Sequence, residues 1–186
     1  MSLLPTPSHT VGPYYGYALP FPGGGDIAPA GHPDTITLHG HVYDGAGAPI
    51  PDAVLEFWQA DPEGSLAGAP GSMRRDPVTG GFLGRNGVDF TGFGRVPTDP
   101  DGHFTVRTLP PGGPAGAPYI SVCVFARGLT HHLFTRAYLP GGEDPLLASL
   151  APDRRATLLA TAEGHRTFRF DIRLQGEGET VFLVFD

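Results

Sequence analysis

The sequence predicts an all-β fold, packed as an antiparallel β-sandwich with an extended N-terminal arm and one short helix. Three observations carry that expectation. Apolar runs are short and several alternate with period 2; turn-forming residues separate them; only one late stretch carries helix signals. Gly (28) and Pro (21) make up about a quarter of the 186 residues, yet 40% of the chain is hydrophobic and Phe occurs 12 times, which supports a packed core over disorder.

Taken in order, residues 1–34 are proline-rich, contain "GGG" and show no periodicity. They read as an arm that becomes ordered only by docking onto something. "ITLHGHVY" (36–43) alternates as a strand, and "DGAGAPIP" turns. In "AVLEFWQAD" (53–61), a second strand, Val54, Glu56 and Trp58 oppose Leu55, Phe57 and Gln59. Trp58 is assigned to core packing. Residues 62–100 form a long Gly/Pro/Asp-rich excursion of the kind reserved for function or contact. "DGHFTVRTLPPG" (101–112) is a turn and a strand.

"APYISVCVFARGLTHHLFTRAY" (117–138) follows as strand, turn at Arg127-Gly128, and strand. Its first strand sets Ile120, Val122 and Val124 against Tyr119, Ser121, Cys123 and Phe125. The helix is expected from Pro152, with Asp153 in its first turn and Gly164 just past its end. "TFRFDIRLQGEGETVFLVFD" closes the chain as a half-buried strand, a glycine turn and a last strand. With no repeat and no linker, the expectation is one domain over 1–186, the arm over 1–34 and the sandwich over 35–186.

Composition narrows the function classes. The formal charge is −7, all cationic side chains are Arg, and no basic cluster occurs, so nucleic acid and anionic membranes are poor partners. No run approaches the roughly 18 apolar residues of a membrane span, and the N-terminus lacks signal-peptide character, which points to the cytoplasm. Cys123, the single cysteine, sits in an apolar strand as a packed thiol.

Candidate chemistry is sparse. His39 and His41 share one strand face, the spacing of a metal pair, but no carboxylate or cysteine lies in an obvious matching position. The alternative is that both face solvent or hydrogen-bond across the sheet. Adjacent His131 and His132 face opposite sides and do not chelate together. There is no G-x-S-x-G, and "GEGET" (176–180) lies between strands, where it cradles no phosphate. By residues alone, the function stays open.

Four stretches change that: "TPSHTVGPYY", "VLEFWQAD", "VFARGLTHHLFTRAYLP" and "FRFDIRLQGEGETVFLVF". Together, and in order from about residue 5 to the end, they resemble the intradiol ring-cleavage dioxygenases. The match is to the α-subunit type of the protocatechuate-cleaving branch, whose β subunits hold Fe(III) with two tyrosinates and two histidines. The resemblance implies that the histidine pair would form an H-x-H on the strand that here reads Tyr119-Ile120-Ser121. Both tyrosines would precede it, yet no tyrosine occurs between Tyr43 and Tyr119. Fe(III) is a hard cation that wants anionic oxygen and imidazole donors.

The resemblance therefore implies a chain with no catalytic and no metal-binding residues of its own, inactive alone. Its cofactor, Fe(III), would belong to a β-subunit partner in a large hetero-oligomer. A catechol-type aromatic substrate would sit at the α/β interface. "HTVGPYY" matches the family's T-x-G-P-Y segment and "FARG" its strand-end arginine. Thr10, Gly12, Pro13, Tyr14 and Arg127 are thus the implied lining of the partner's substrate pocket. A rival reading stays beside it: a stand-alone β-sandwich binding or carrier module, because the strand–turn pattern of residues 42–112 also resembles such domains. A third is a lone dioxygenase with substituted ligands.

Overall fold

The period-2 stretches become strands whose apolar faces meet. The computed structural model describes residues 12, 14–69, 73–113, 118–142 and 144–185. Its strands are β1 (Ile36–Tyr43), β2 (Val54–Trp58), β3 (Arg74–Arg75), β4 (Phe82–Gly84), β5 (Phe93–Pro97), β6 (His103–Thr108), β7 (Tyr119–Phe125), β8 (Leu133–Tyr138), β9 (Thr161–Gly164), β10 (Thr167–Arg169) and β11 (Ile172–Arg173). Among the described residues there are three short helices: α1 (Tyr15–Ala18), α2 (Pro145–Ser149) and α3 (Pro152–Ala156).

In the first sheet β1 is central. It pairs antiparallel with β6 on one side and parallel with β10 and then β11 on the other, while β9 lies outside β10. The second sheet, β5-β2-β7-β8, is antiparallel throughout. A separate hairpin, β3-β4, forms within the long excursion. Leu38, Val42, Phe104, Val106, Phe170 and Ile172 of the first sheet share one core with Leu55, Phe57, Val96, Ile120, Val122 and Val124 of the second. Each such side chain, removed from water, contributes roughly 2 kcal/mol.

The all-β expectation holds, with six corrections. Purely antiparallel pairing was expected, but β10 and β11 run parallel to β1. They reach it after more than a hundred residues of intervening chain, long enough for the crossover a parallel pair needs. At their junction the chain presses so close that a Cβ on Gly40 would collide with the Phe170 carbonyl oxygen.

The helix expected from Pro152 stops at Ala156. Leu158 and Ala160 are taken by the end of β8 instead, through Tyr138 N–H to Leu158 O (2.8 Å) and Ala160 N–H to Tyr138 O (2.8 Å), and 161–164 becomes β9. The unexpected α2 starts at Asp144, whose carboxylate caps Leu147 N–H at 2.8 Å, followed by Pro145 at the first helical position. The excursion hides β5, and the last expected strand is reduced to one bridge, Leu183 to Phe134.

Trp58 is not core. Its outward place on β2 leaves it 40% exposed beside Phe93.

From residue 14 onward the described part of the arm docks on this chain's own sheets. Ile27, 1% exposed, enters the core, and Ile27 and Ala28 N–H groups donate to the Arg107 carbonyl. Gly24 lies so close to the Arg95 carbonyl that a side chain there has no room.

Candidate functional site

The turn after β7 places Arg127. Ala126 is fully buried, Gly128 takes a positive φ of 83°, and between them the Arg127 side chain stands out of the surface, two-thirds exposed. Its Nε donates to both Asp52 oxygens, at 2.9 and 3.0 Å, and the hydrogen bond and charge of that carboxylate hold the guanidinium above its ordinary pKa. Asp52 comes from the turn before β2, and Tyr15 and Tyr17 from α1.

Together with Gly16, Pro51, Pro97 and Thr98 these residues line a cleft of about 230 Å3. The Tyr15 ring is buried, and its hydroxyl has no hydrogen-bond partner among the described residues. Burial, and after it the Asp52 charge, push its pKa up to about 12.

Of the residues expected here, the structure brings Arg127 against the arm. Tyr14 stands at the start of α1, where its carbonyl accepts from Tyr17 and Ala18 N–H, and its side chain is 74% exposed, outside the cleft. Gly12 has a positive φ of 89°. Thr10 and Pro13 lie outside the described residues. Sequence reasoning missed Tyr15, Tyr17 and Asp52. In "PYYGY" nothing tells a buried tyrosine from an exposed one, and Asp52 is 75 positions away from the arginine it meets.

The other end of β7 carries the residues where the resemblance puts metal ligands. Tyr119 and Ser121 face away from the core between the sheets; Tyr119 packs beside a second apolar cluster around Tyr138 and Leu147, and a guanidinium stands over its ring. The Arg136 Cζ lies 4.0 Å from the Tyr119 ring centroid, its Nη1 donates to Tyr138 Oη (3.1 Å) and sits 3.6 Å from Asp144. Tyr138 Oη in turn donates to Asp144 at 2.7 Å. Burial pushes the Tyr138 pKa up to about 12, with the Arg136 hydrogen bond opposing and the Asp144 hydrogen bond and charge adding to the rise.

Further along the same face Glu56 accepts from Arg95 Nε at 2.7 Å, and Arg95 Nη1 also donates to the Leu19 carbonyl, tying the arm down. Beside Glu56, the Cys123 thiol is pushed up to about 12, by burial first and that carboxylate second. This donor set does not fit a ferric ion: a phenol under a guanidinium, a hydroxyl and a thiol, with the carboxylates Glu56 and Asp144 beside Arg95 and Arg136, stand in place of two tyrosinates and two imidazoles. Among the described residues no three His, Cys, Asp or Glu side chains converge where they could hold a metal ion.

His39, His103, His131 and His132 have partners of their own, whereas His41 Nδ1 lies 3.8 Å from Asp171 without a hydrogen bond. His39 Nδ1 and His103 Nε2 are 3.3 Å apart, His39 Nε2 is 2.9 Å from Glu163, and His41 and His103 rings lie 5.0 Å apart. The two histidines do share a face, and the carboxylates thought absent come from far along the chain, Glu163 on β9 and Asp171 beside β11. His131 meets Thr130, whereas His132 packs between Phe125 and Phe134.

Comparison with known proteins fits this geometry. A family model described as Dioxygenase matches residues 12–121. The chain is 38% identical to the protocatechuate 3,4-dioxygenase alpha chain of Burkholderia cepacia, with 98% of each covered, and 36% identical to that of Pseudomonas putida, with 100% of this chain and 99% of the other covered. Among solved structures, the dioxygenase domain of a dioxygenase–carbohydrate-binding protein fusion from Streptomyces sp. SirexAA-E superposes with a TM-score of 0.58 at 28% identity, over 92% of this chain and 99% of that one. By sequence and by fold, the chain belongs to the intradiol ring-cleavage dioxygenase family, as a homologue of the protocatechuate 3,4-dioxygenase alpha chain.

Proposed function

We propose that this chain is the non-catalytic α subunit of a protocatechuate 3,4-dioxygenase. In that complex a β subunit holds Fe(III), and protocatechuate plus O2 gives 3-carboxy-cis,cis-muconate. The α chain forms part of the pocket wall, with Thr10, Gly12, Pro13 and Tyr14 from the arm and Arg127 from the β7 turn. The observation that carries the reading is the outward face of β7, where Tyr119 lies under the Arg136 guanidinium in place of a ligand pair. A site closed in this way leaves chemistry to the partner.

Arg127 would act through charge. Protocatechuate bears a carboxylate, and an exposed guanidinium at the pocket mouth attracts and orients it. Asp52 fixes the direction of that guanidinium while leaving most of the side chain in solvent. The same reading makes the assembly a large cytoplasmic hetero-oligomer.

Expression of the chain alone and together with a cognate β subunit tests the proposal. The chain alone should purify colourless, iron-free and inactive. The co-expressed complex should be red-brown, contain iron and cleave protocatechuate. Stoichiometric iron on the isolated chain, or full activity of the β subunit alone, would overturn it.

A further inference from the structure

The chain is acidic overall, but one hollow in it holds a cation without a counter-charge. The hollow lies between the arm around Gly23–Thr35 and the turn at Arg85–Gly87. It measures about 550 Å3, the size of a small-molecule site, and Asp26, His32, Arg85 and Arg107 supply its polar lining. Arg107 is committed to Asp26, to whose Oδ1 its Nε donates at 2.9 Å. Arg85 meets only neutral acceptors: it donates to Thr91 Oγ1 and, at a long 3.5 Å, to the Gly24 carbonyl.

Among the described residues no carboxylate lies within ion-pair distance of Arg85. Burial brings its pKa down to about 10, with the Asp26 charge opposing that shift. A guanidinium has five N–H donors in a planar fork, and most of this one's are unspent. A half-desolvated cation facing a cavity is an incomplete ion pair, and an anion of matching shape completes it.

We propose that this hollow is a binding site for a small monocarboxylate with an apolar body, held by the fork of Arg85. The charge balance selects one negative charge: Arg107 and Asp26 cancel, Arg85 adds one positive charge, and Asp26 on the wall repels a dianion. Ala28, Pro29 and Ala30 supply the apolar wall against which such a body rests. The site is separate from Arg127, which stands at a different cleft.

Calorimetric titration of the full-length chain with benzoate, at constant ionic strength, tests the assignment, with inorganic phosphate as the competing probe. The expected result is one saturable site with a dissociation constant of about 1 mM or tighter. Binding should survive R127A, weaken about tenfold in R85Q through loss of one charge-assisted contact, and tighten in D26N, which removes the repelling wall. R85K, which keeps the charge and loses the fork, should weaken it several-fold and serves if R85Q fails to fold. No saturable binding, equal binding by R85Q or R85K, loss in R127A, or phosphate binding as tight as benzoate would each overturn the proposal.

Discussion

Arg136 and Arg127 stand at opposite ends of the hairpin formed by β7 and β8, and the same functional group meets opposite conditions there. Arg136 is stacked on Tyr119, bonded to Tyr138 and paired with Asp144, whose side chain is only 8% exposed. Arg127 has one carboxylate partner and is 66% exposed. The difference teaches where a charge can still act on something outside the chain. A guanidinium stacked on a ring and paired with a buried carboxylate is a structural brace, whereas one aligned by a single partner and left wet remains available to a ligand.

Four experiments break or sharpen that contrast. The largest effect should come from Asp144→Ala, which strands the Arg136 cation, the Tyr138 hydroxyl and the cap of α2 together. A loss of about 3 kcal/mol in denaturant unfolding is expected, with Asp144→Asn costing less because it keeps the cap. Arg127→Ala should leave the unfolding midpoint unmoved and, in the α/β complex, raise KM for protocatechuate about tenfold with a smaller change in kcat. An unchanged KM would remove Arg127 from the pocket.

A third experiment concerns the outer face of the first sheet. Burial, and after it His41, hold the His103 imidazole below its ordinary 6.5, with Asp99 pulling the other way. His39, Glu163, Asp171 and Arg169 complete the charged surroundings. The folded state then takes up this proton less readily than the unfolded chain. Stability is intact above pH 6.5 and falls as the pH drops below it, and His103→Gln should flatten that slope in acid titration. The smallest effect is kinetic. With its thiol held near 12, Cys123 should resist thiol-directed reagents at pH 8 in the native chain and react promptly once unfolded.

Legibility in the sequence follows a physical divide. β1, β6 and β7 were readable because each carries its own alternation, and their buried residues, Thr108 apart, are the apolar ones of that alternation. "FGRVP" was not readable as β5. Its glycine and proline argue against a strand, and pairing with β2 on one edge and the Gly24 carbonyl on the other stabilises it there. Leu158 and Leu159 looked helical because local propensity cannot register that the Tyr138 backbone bonds to Leu158 and Ala160, on either side of Leu159. At the candidate site Arg127 was visible through "FARG", but Asp52, Tyr15 and the Arg136 brace depend on contacts between distant parts of the chain. Trp58 shows the same limit from the other side, since alternation separates two faces without saying which one meets the second sheet.

The parallel edge of β1 has a consequence for synthesis. Thr37 N–H waits for the Arg166 carbonyl, and the His39 carbonyl for Phe170 N–H. Until those late residues emerge from the ribosome, the middle strand of the first sheet has one bare edge in the nascent chain. A premature stop before residue 166 would therefore open the sheet at its centre and not merely shorten its rim.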